Sequence, residues 1–217
     1  NSCSINKSWN ISEPGSIVID GSITNVDCNG NTNGAITTTV TGGITPYIYA
    51  WSNGSTATSI SSLSAGSYTL TVTDNNLVKK TASFSITQPT ALSLESAQVD
   101  VKCNGNNTGS ISTTVSGGTP AYTYNWSTGS AATAINSLTQ GSYTVTISDT
   151  KNCKVTASYT INEPAILTIS AETVSHVLAA GGNDGSINLT INGGATPYNY
   201  NWNSGAVSKD IATLTAS

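Results

Sequence analysis

Gly-Gly-Thr-Pro-Ala-Tyr-Thr-Tyr-Asn-Trp-Ser, residues 117–127, is the stretch on which the fold turns. It recurs as Gly-Gly-Ile-Thr-Pro-Tyr-Ile-Tyr-Ala-Trp-Ser at 42–52 and as Gly-Gly-Ala-Thr-Pro-Tyr-Asn-Tyr-Asn-Trp-Asn at 193–203. Each copy sets a glycine-pair turn signal before aromatic residues spaced by two. Side chains at that spacing share one face of a strand. Tyr122, Tyr124 and Trp126 therefore point one way, and Thr123 and Asn125 the other. Tyr47, Tyr49 and Trp51 form the same row, as do Tyr198, Tyr200 and Trp202. A small domain with few other large side chains needs such a row for its core, so burial is the expected reading; a platform for stacking sugar rings is its rival.

The repetition extends well beyond this stretch. An offset of 75 positions brings Pro14 onto Pro89 and Pro164, Cys28 onto Cys103, Gly34 onto Gly109 and Trp51 onto Trp126. The third copy follows at 76, placing Gly185 on Gly109 and Trp202 on Trp126, so one residue was inserted in a loop just before Gly185. The units this defines are 15–89, 90–164 and 165–217, the last read as truncated. Residues 1–14 match the tail of a unit and are expected to form the C-terminal strand of a preceding repeat. The natural polypeptide is accordingly expected to continue in both directions.

Inside the second unit, alternation recurs at Ile111, Thr113 and Val115, at Tyr143, Val145 and Ile147, and at Ala157, Tyr159 and Ile161, with polar residues between. Further strands near 92–101 and 132–135 bring the count to six or seven, separated by turn signals such as Gly117-Gly118. Two packed antiparallel sheets follow: an all-β chain of tandem immunoglobulin-like β-sandwiches, of the PKD or fibronectin kind, about 75 residues each. Two details select the immunoglobulin-like version: a central-strand Trp, and a tyrosine corner built from Leu63, Gly66 and Tyr68 and again from Leu138, Gly141 and Tyr143. Pro89 and Pro164 close the units with almost no linker, which predicts stiff junctions and a rod growing by roughly 30–40 Å per unit.

Composition narrows the function. Only 8% of residues are charged and the net charge is −4, with lysine supplying every basic residue. That balance offers neither the positive field nor the guanidinium forks that nucleic acid favours. No run approaches the roughly 18 apolar residues of a membrane span. No signal peptide begins at residue 1, so targeting is expected to lie outside this stretch.

The recurring pattern is Cys-Asn-Gly-x-x-x-Gly-Ser-Ile, then Gly-Gly-Thr-Pro-x-Tyr-x-Tyr-x-Trp-Ser, then Leu-x-x-Gly-Ser-Tyr-Thr-Val-x-x-x-Asp, then Asn-Cys and a closing Glu-Pro. It resembles the SprB repeat over essentially the whole chain. The resemblance implies a stalk of a giant cell-surface adhesin of gliding Bacteroidota, exported by type IX secretion and displayed outside the outer membrane as moving filaments. Its implied partners are neighbouring repeats, the gliding or secretion machinery, and extracellular surfaces or polysaccharide. The chain departs from the pattern at Val78, which replaces a Cys, and in the third unit, which has none.

Four cysteines allow three pairings. Pairing within a unit joins Cys103 to Cys153, leaves Cys3 to an upstream partner and orphans Cys28. Pairing the late Cys of one unit with the early Cys of the next joins Cys3 to Cys28 but strands the other two. The first scheme leaves fewer orphans and is the expected one, with free thiols as the alternative. Asn29-Gly-Asn-Thr-Asn33-Gly34 and Asn104-Gly-Asn-Asn-Thr-Gly109 have the spacing of a calcium loop, and Asp27, Asp74 and Asp149 sit near strand ends. The ligands would be uncharged amides without a bidentate Glu, so a plain turn is expected and no cofactor. His176 is the single histidine, and no nucleophile, paired carboxylates or phosphate loop recurs. No catalytic site is expected.

Overall fold

The computed structural model describes residues 3–10 and 13–215. Every regular element among them is a β-strand. The first repeat contributes β1 (Val18–Thr24), β2 (Gly34–Thr41), β3 (Ile48–Trp51), β4 (Ser59–Leu63), β5 (Gly66–Thr73) and β6 (Lys79–Ile86). They form two three-stranded antiparallel sheets, β1-β2-β4 and β3-β5-β6. The second repeat contributes β7 (Ser93–Val99), β8 (Gly109–Ser116), β9 (Thr123–Trp126), β10 (Ala134–Leu138), β11 (Gly141–Ser148) and β12 (Lys154–Ile161). Its sheets are β7-β8-β10 and β9-β11-β12. This division of six strands is the A-B-E and C-F-G arrangement of an immunoglobulin-like sandwich.

Alternation is what makes the sandwich. Along β5 the residues that turn inward are Leu70 and Val72, and along β11 they are Val145 and Ile147, all fully buried. Trp51 stands opposite Leu70 and Trp126 opposite Val145, so each indole joins the buried face of its sheet. Burying an aliphatic side chain this completely stabilises the fold by about 1.5–3 kcal/mol. The first core gathers Ile17, Val26, Ile36, Trp51, Leu63 and Ile86 around these residues, and the second gathers Val101, Ile111, Trp126, Leu138 and Ile161. The outer face of β5 and β6 carries hydroxyl pairs, Thr69 with Ser83 at 3.3 Å and Thr71 with Thr81 at 3.4 Å. On β11 and β12 the pairs are Thr144 with Ser158 at 3.0 Å and Thr146 with Thr156 at 3.2 Å.

The described chain divides into two compact units. One comprises Asn1–Leu92, Gly117–Ala121 and Asp149–Cys153; the other comprises Ser93–Ser116, Tyr122–Ser148 and Lys154–Ser217. Two loops that belong by sequence to the second repeat are thus part of the first unit.

The third copy differs from the other two. Among the described residues it has a single sheet of β13 (Thr168–Ser175), β14 (Gly185–Asn192) and β15 (Ile211–Leu214). Tyr198 to Trp202, the counterpart of β9, forms no strand. In the second repeat β9 exists by pairing with β11, and among the described residues of the third copy no strand pairs with residues 198–202. A strand is expected within 1–14, and none lies among the described residues of that stretch. Residues 3–10 are exposed and irregular, and the expectation for residues 1, 2, 11 and 12 lies outside the described residues.

Candidate functional site

The motif residues that leave the cores converge on the ends of each repeat. The Asn-Gly loop follows β1, where Val26 is buried and its N–H donates to Thr87 O at 3.0 Å. Thr87 N–H donates back to Asn25 Oδ1 at 2.9 Å. Gly30 takes a φ of +79°, a conformation that favours glycine, and this turns its N–H onto Gln88 Oε1 at 2.9 Å. Asn29 Nδ2 donates to Pro89 O at 3.1 Å. The second copy repeats the grip with a charged acceptor: Gly105 N–H meets Glu163 Oε2 at 2.8 Å, and Asn104 Nδ2 reaches Glu163 Oε1 at 3.0 Å and Pro164 O at 3.1 Å. The Asn-Gly loop is therefore a clasp on the segment that ends its own repeat. The sequence reading weighed it as a calcium loop and favoured a plain turn. The available signal was that Gln88-Pro89 and Glu163-Pro164 recur at the same offset as the loop.

The glycine pair secures the start of each repeat in the same way. Gly43 N–H donates to Gly15 O, Gly118 N–H to Thr90 O and Gly194 N–H to Ala165 O. A Cβ on Gly117 would stand 1.9 Å from Ala91 O, so only glycine allows the approach.

Asp149 organises the late loop of the second repeat. Its Oδ1 accepts the N–H groups of Lys151 at 2.8 Å and Cys153 at 2.9 Å, and its Oδ2 accepts Thr119 N–H at 2.8 Å. Burial would raise its pKa, but the backbone N–H groups of Thr119, Cys153 and Lys151 outweigh that, with Lys151 adding charge, and hold the carboxyl below the ordinary aspartate value. Asp74 is placed alike in the first repeat, where burial is outweighed by the N–H groups of Ile44, Val78 and Asn76. Lys151 Nζ lies 3.5 Å from Asp27 Oδ1.

Beside that ion pair the cysteines differ from expectation. Cys28 is bonded to Cys153, with their Cα atoms 5.6 Å apart, while Cys3 and Cys103 are free and exposed. The expected Cys103–Cys153 bridge is not made. Counting orphans treated each repeat as self-contained, whereas the 149–153 loop belongs to the same compact unit as the Asn-Gly loop of the first repeat. Early Cys thus meets the late Cys of the following copy, an arrangement that neither scheme contained.

The aromatic rows divide by copy. Trp51 and Trp126 are 4% and 2% exposed, and each indole Nε1 donates to a carbonyl six residues on, Ala57 O at 2.8 Å and Ala132 O at 2.9 Å. Tyr47, Tyr49, Tyr122 and Tyr124 are half-buried and pack against these cores. Trp51 and Trp126 are therefore closed to a stacking sugar. In the third copy Tyr198, Tyr200 and Trp202 are half-buried and line a groove of about 450 Å³ with Leu167 and Leu189. At the corners, Tyr68 Oη donates to Ser64 O at 3.1 Å and Tyr143 Oη to Thr139 O at 3.0 Å, with Leu63 and Leu138 buried beneath and Gly66 and Gly141 opening β5 and β11.

The carboxylates considered for calcium, Asp27, Asp74 and Asp149, are engaged by protein partners. Asn33 Nδ2 donates to Asp27 Oδ2 at 2.8 Å, and Asp74 and Asp149 accept backbone N–H groups. Among the described residues, no three His, Cys, Asp or Glu side chains gather into a set that could hold a metal ion. No helix there is long and apolar enough to cross a membrane, and His176 is exposed.

The sequence profile of the SprB repeat matches residues 21–56, 96–131 and 171–207, together about half of the chain. The chain belongs to the SprB repeat family. Each matched segment runs from within the first strand of a copy to just past its Trp, so the family pattern contains the aromatic row of these SprB repeats and, in the first two copies, the Asn-Gly loop. No curated protein sequence matches the chain. Among solved structures it is similar to immunoglobulin domains 1–5 of Sidekick-1, at 11% identity and a TM-score of 0.37, over 84% of this chain and 46% of that one. It is also similar to the N-terminal eight immunoglobulin domains of Down Syndrome Cell Adhesion Molecule, at 11% identity and 0.31, over 91% and 28%. A third is the amphioxus IgVJ-C2 molecule, at 12% identity and 0.27, over 69% and 98%. The chain thus spans less than half the length of the first two.

Proposed function

We propose that these SprB repeats form a structural, non-catalytic shaft segment of a cell-surface filamentous adhesin serving gliding motility and attachment. In this reading the protein is extracellular, exported by type IX secretion, and its partners are neighbouring repeats, the gliding or secretion machinery, and the surfaces or polysaccharides that an adhesive region elsewhere contacts. Residues 15–89 and 90–164 are its folding units. The observation that carries the reading is that motif residues with no place in a core fasten the ends of repeats: the Asn-Gly clasps on Gln88-Pro89 and Glu163-Pro164, and a cystine joining residues of two copies. Enzymes concentrate such polar residues around a reacting centre; here they hold backbone. Deleting the parent gene and following gliding, attachment and surface fibres by microscopy tests the proposal. Loss of fibres together with gliding is the expected result, and retention of all three overturns it.

A further inference from the structure

We infer that the Cys28–Cys153 bond is a force bypass, a covalent path that takes tension around the two cores instead of through them. As a device under load it rests on the shaft reading; as a property of the molecule it stands on chain topology. The bond joins positions 125 residues apart in sequence. Within that loop lie β2 to β11, and with them nearly all of both buried cores, together with the Gln88-Pro89 junction. Of the strands in the first two repeats, only β1 precedes Cys28 and only β12 follows Cys153.

Both of those strands are sheet edges, since β1 pairs with β2 alone and β12 with β11 alone. Pulling the chain by its ends therefore loads two edge ladders. A disulfide does not part at forces that shear hydrogen-bonded strands. Once β1 and β12 have peeled away, the load passes from Cys28 to Cys153 and the interior strands feel none of it. A within-repeat bridge could not do this, because a Cys103–Cys153 loop would enclose most of one sandwich and leave the other exposed to tension.

The bond's surroundings suit it to that role. The Asp149 hydrogen bonds fix the backbone of the loop that carries Cys153, and Lys151 meets Asp27 beside Cys28, so the two sulfurs are held by structure on both sides. The counterpart of Cys153 in the first repeat is Val78, which is 55% exposed, so the late loop of that repeat has no such bond to make.

Single-molecule stretching of the 217-residue chain, held at its two ends in a C3S/C103S background, tests the bypass. The oxidised chain should release only residues outside the loop. A dithiol that gives two electrons and two protons to the cystine, and itself closes to a cyclic disulfide, should then release a step of roughly 410–450 Å under load. The C28S/C153S variant should show that extension without reductant; because the reductant arm uses the cystine-bearing chain, the test survives misfolding of the variant. Unfolding of both sandwiches to full length in the oxidised chain overturns the inference. So does a wild-type step of roughly 170–180 Å, the length of a Cys103–Cys153 loop. Gliding that persists without the gene would remove the shaft reading while leaving the stretching result intact.

Discussion

The second repeat and the third copy share the Gly-Gly turn, the Tyr-x-Tyr-x-Trp row and the indole bond to a carbonyl six residues on, yet among the described residues only the second repeat is a closed sandwich. In the second repeat Tyr124 and Trp126 lie opposite Ile147 and Val145 in a ladder, and Trp126 is sealed. In the third copy the same residues are irregular, and Trp202 still donates to Ser208 O at 2.8 Å while its ring borders a groove. The indole bond and the turn are local and survive alone. Strand and burial are not local, because both come from the hairpin that pairs with the row. The lesson concerns where information sits: alternation states which side chains would go inward, and only a partner strand makes them do so.

Truncating both indoles is expected to have the strongest effect. Trp126→Ala should cost about 3–5 kcal/mol of the second repeat's stability, the usual cost of a large core truncation, whereas Trp202→Ala should cost less than about 1 kcal/mol. Residue-resolved hydrogen exchange during denaturant titration reads both in one chain, and equal losses would show that the third copy is as well packed as the second. A middle-sized effect is expected at the glycine pair. Gly117→Ala combines a φ of +77° with the collision at Ala91 O and should cost about 2–3 kcal/mol. Gly193→Ala meets Ile166 O at 2.0 Å but should cost about 1 kcal/mol, since among the described residues no second sheet packs on β13 to hold it in place.

The smallest effect is set by pH. The folded-state pKa values of Asp74 and Asp149 are depressed, so their contribution is fully present above the unfolded value, about pH 4, and is lost as pH falls through the folded values. Melting followed by circular dichroism from pH 7 to pH 2 should show stability falling below about pH 4. In D74N/D149N stability should be lower at neutral pH and the acid decline shallower; an unchanged decline would place the acid sensitivity elsewhere.

Much of the fold was legible because the repeat shows the same pattern three times. Ile111, Val145, Ile147 and Ile161 stand where alternation put them, fully buried, and the two complete repeats carry six strands each. Pairing between distant loops was not legible. A rule that closes each repeat on itself assigns Cys153 to Cys103 and orphans Cys28, and what selects Cys28 for Cys153 is the placement of the 149–153 loop, which no periodicity encodes. The clasps lay between these cases. Asn29 and Gly30 recur as Asn104 and Gly105, and Gln88 is matched by Glu163, but a turn and its target are 58 positions apart for Gly30 and Gln88, and local turn chemistry has nothing to say about so distant an acceptor.

The hydroxyl pairs along the outer faces of β5–β6 and β11–β12 have a consequence for where such a protein can work. Surface stability built from ion pairs weakens as dissolved salt screens them, over a Debye length of about 10 Å at 0.1 M. Thr71 with Thr81 and Thr146 with Thr156 present neutral dipoles at short range, leaving dissolved ions little to act upon. An exterior made this way keeps much the same strength in dilute and in briny water, and offers oppositely charged debris few places to cling.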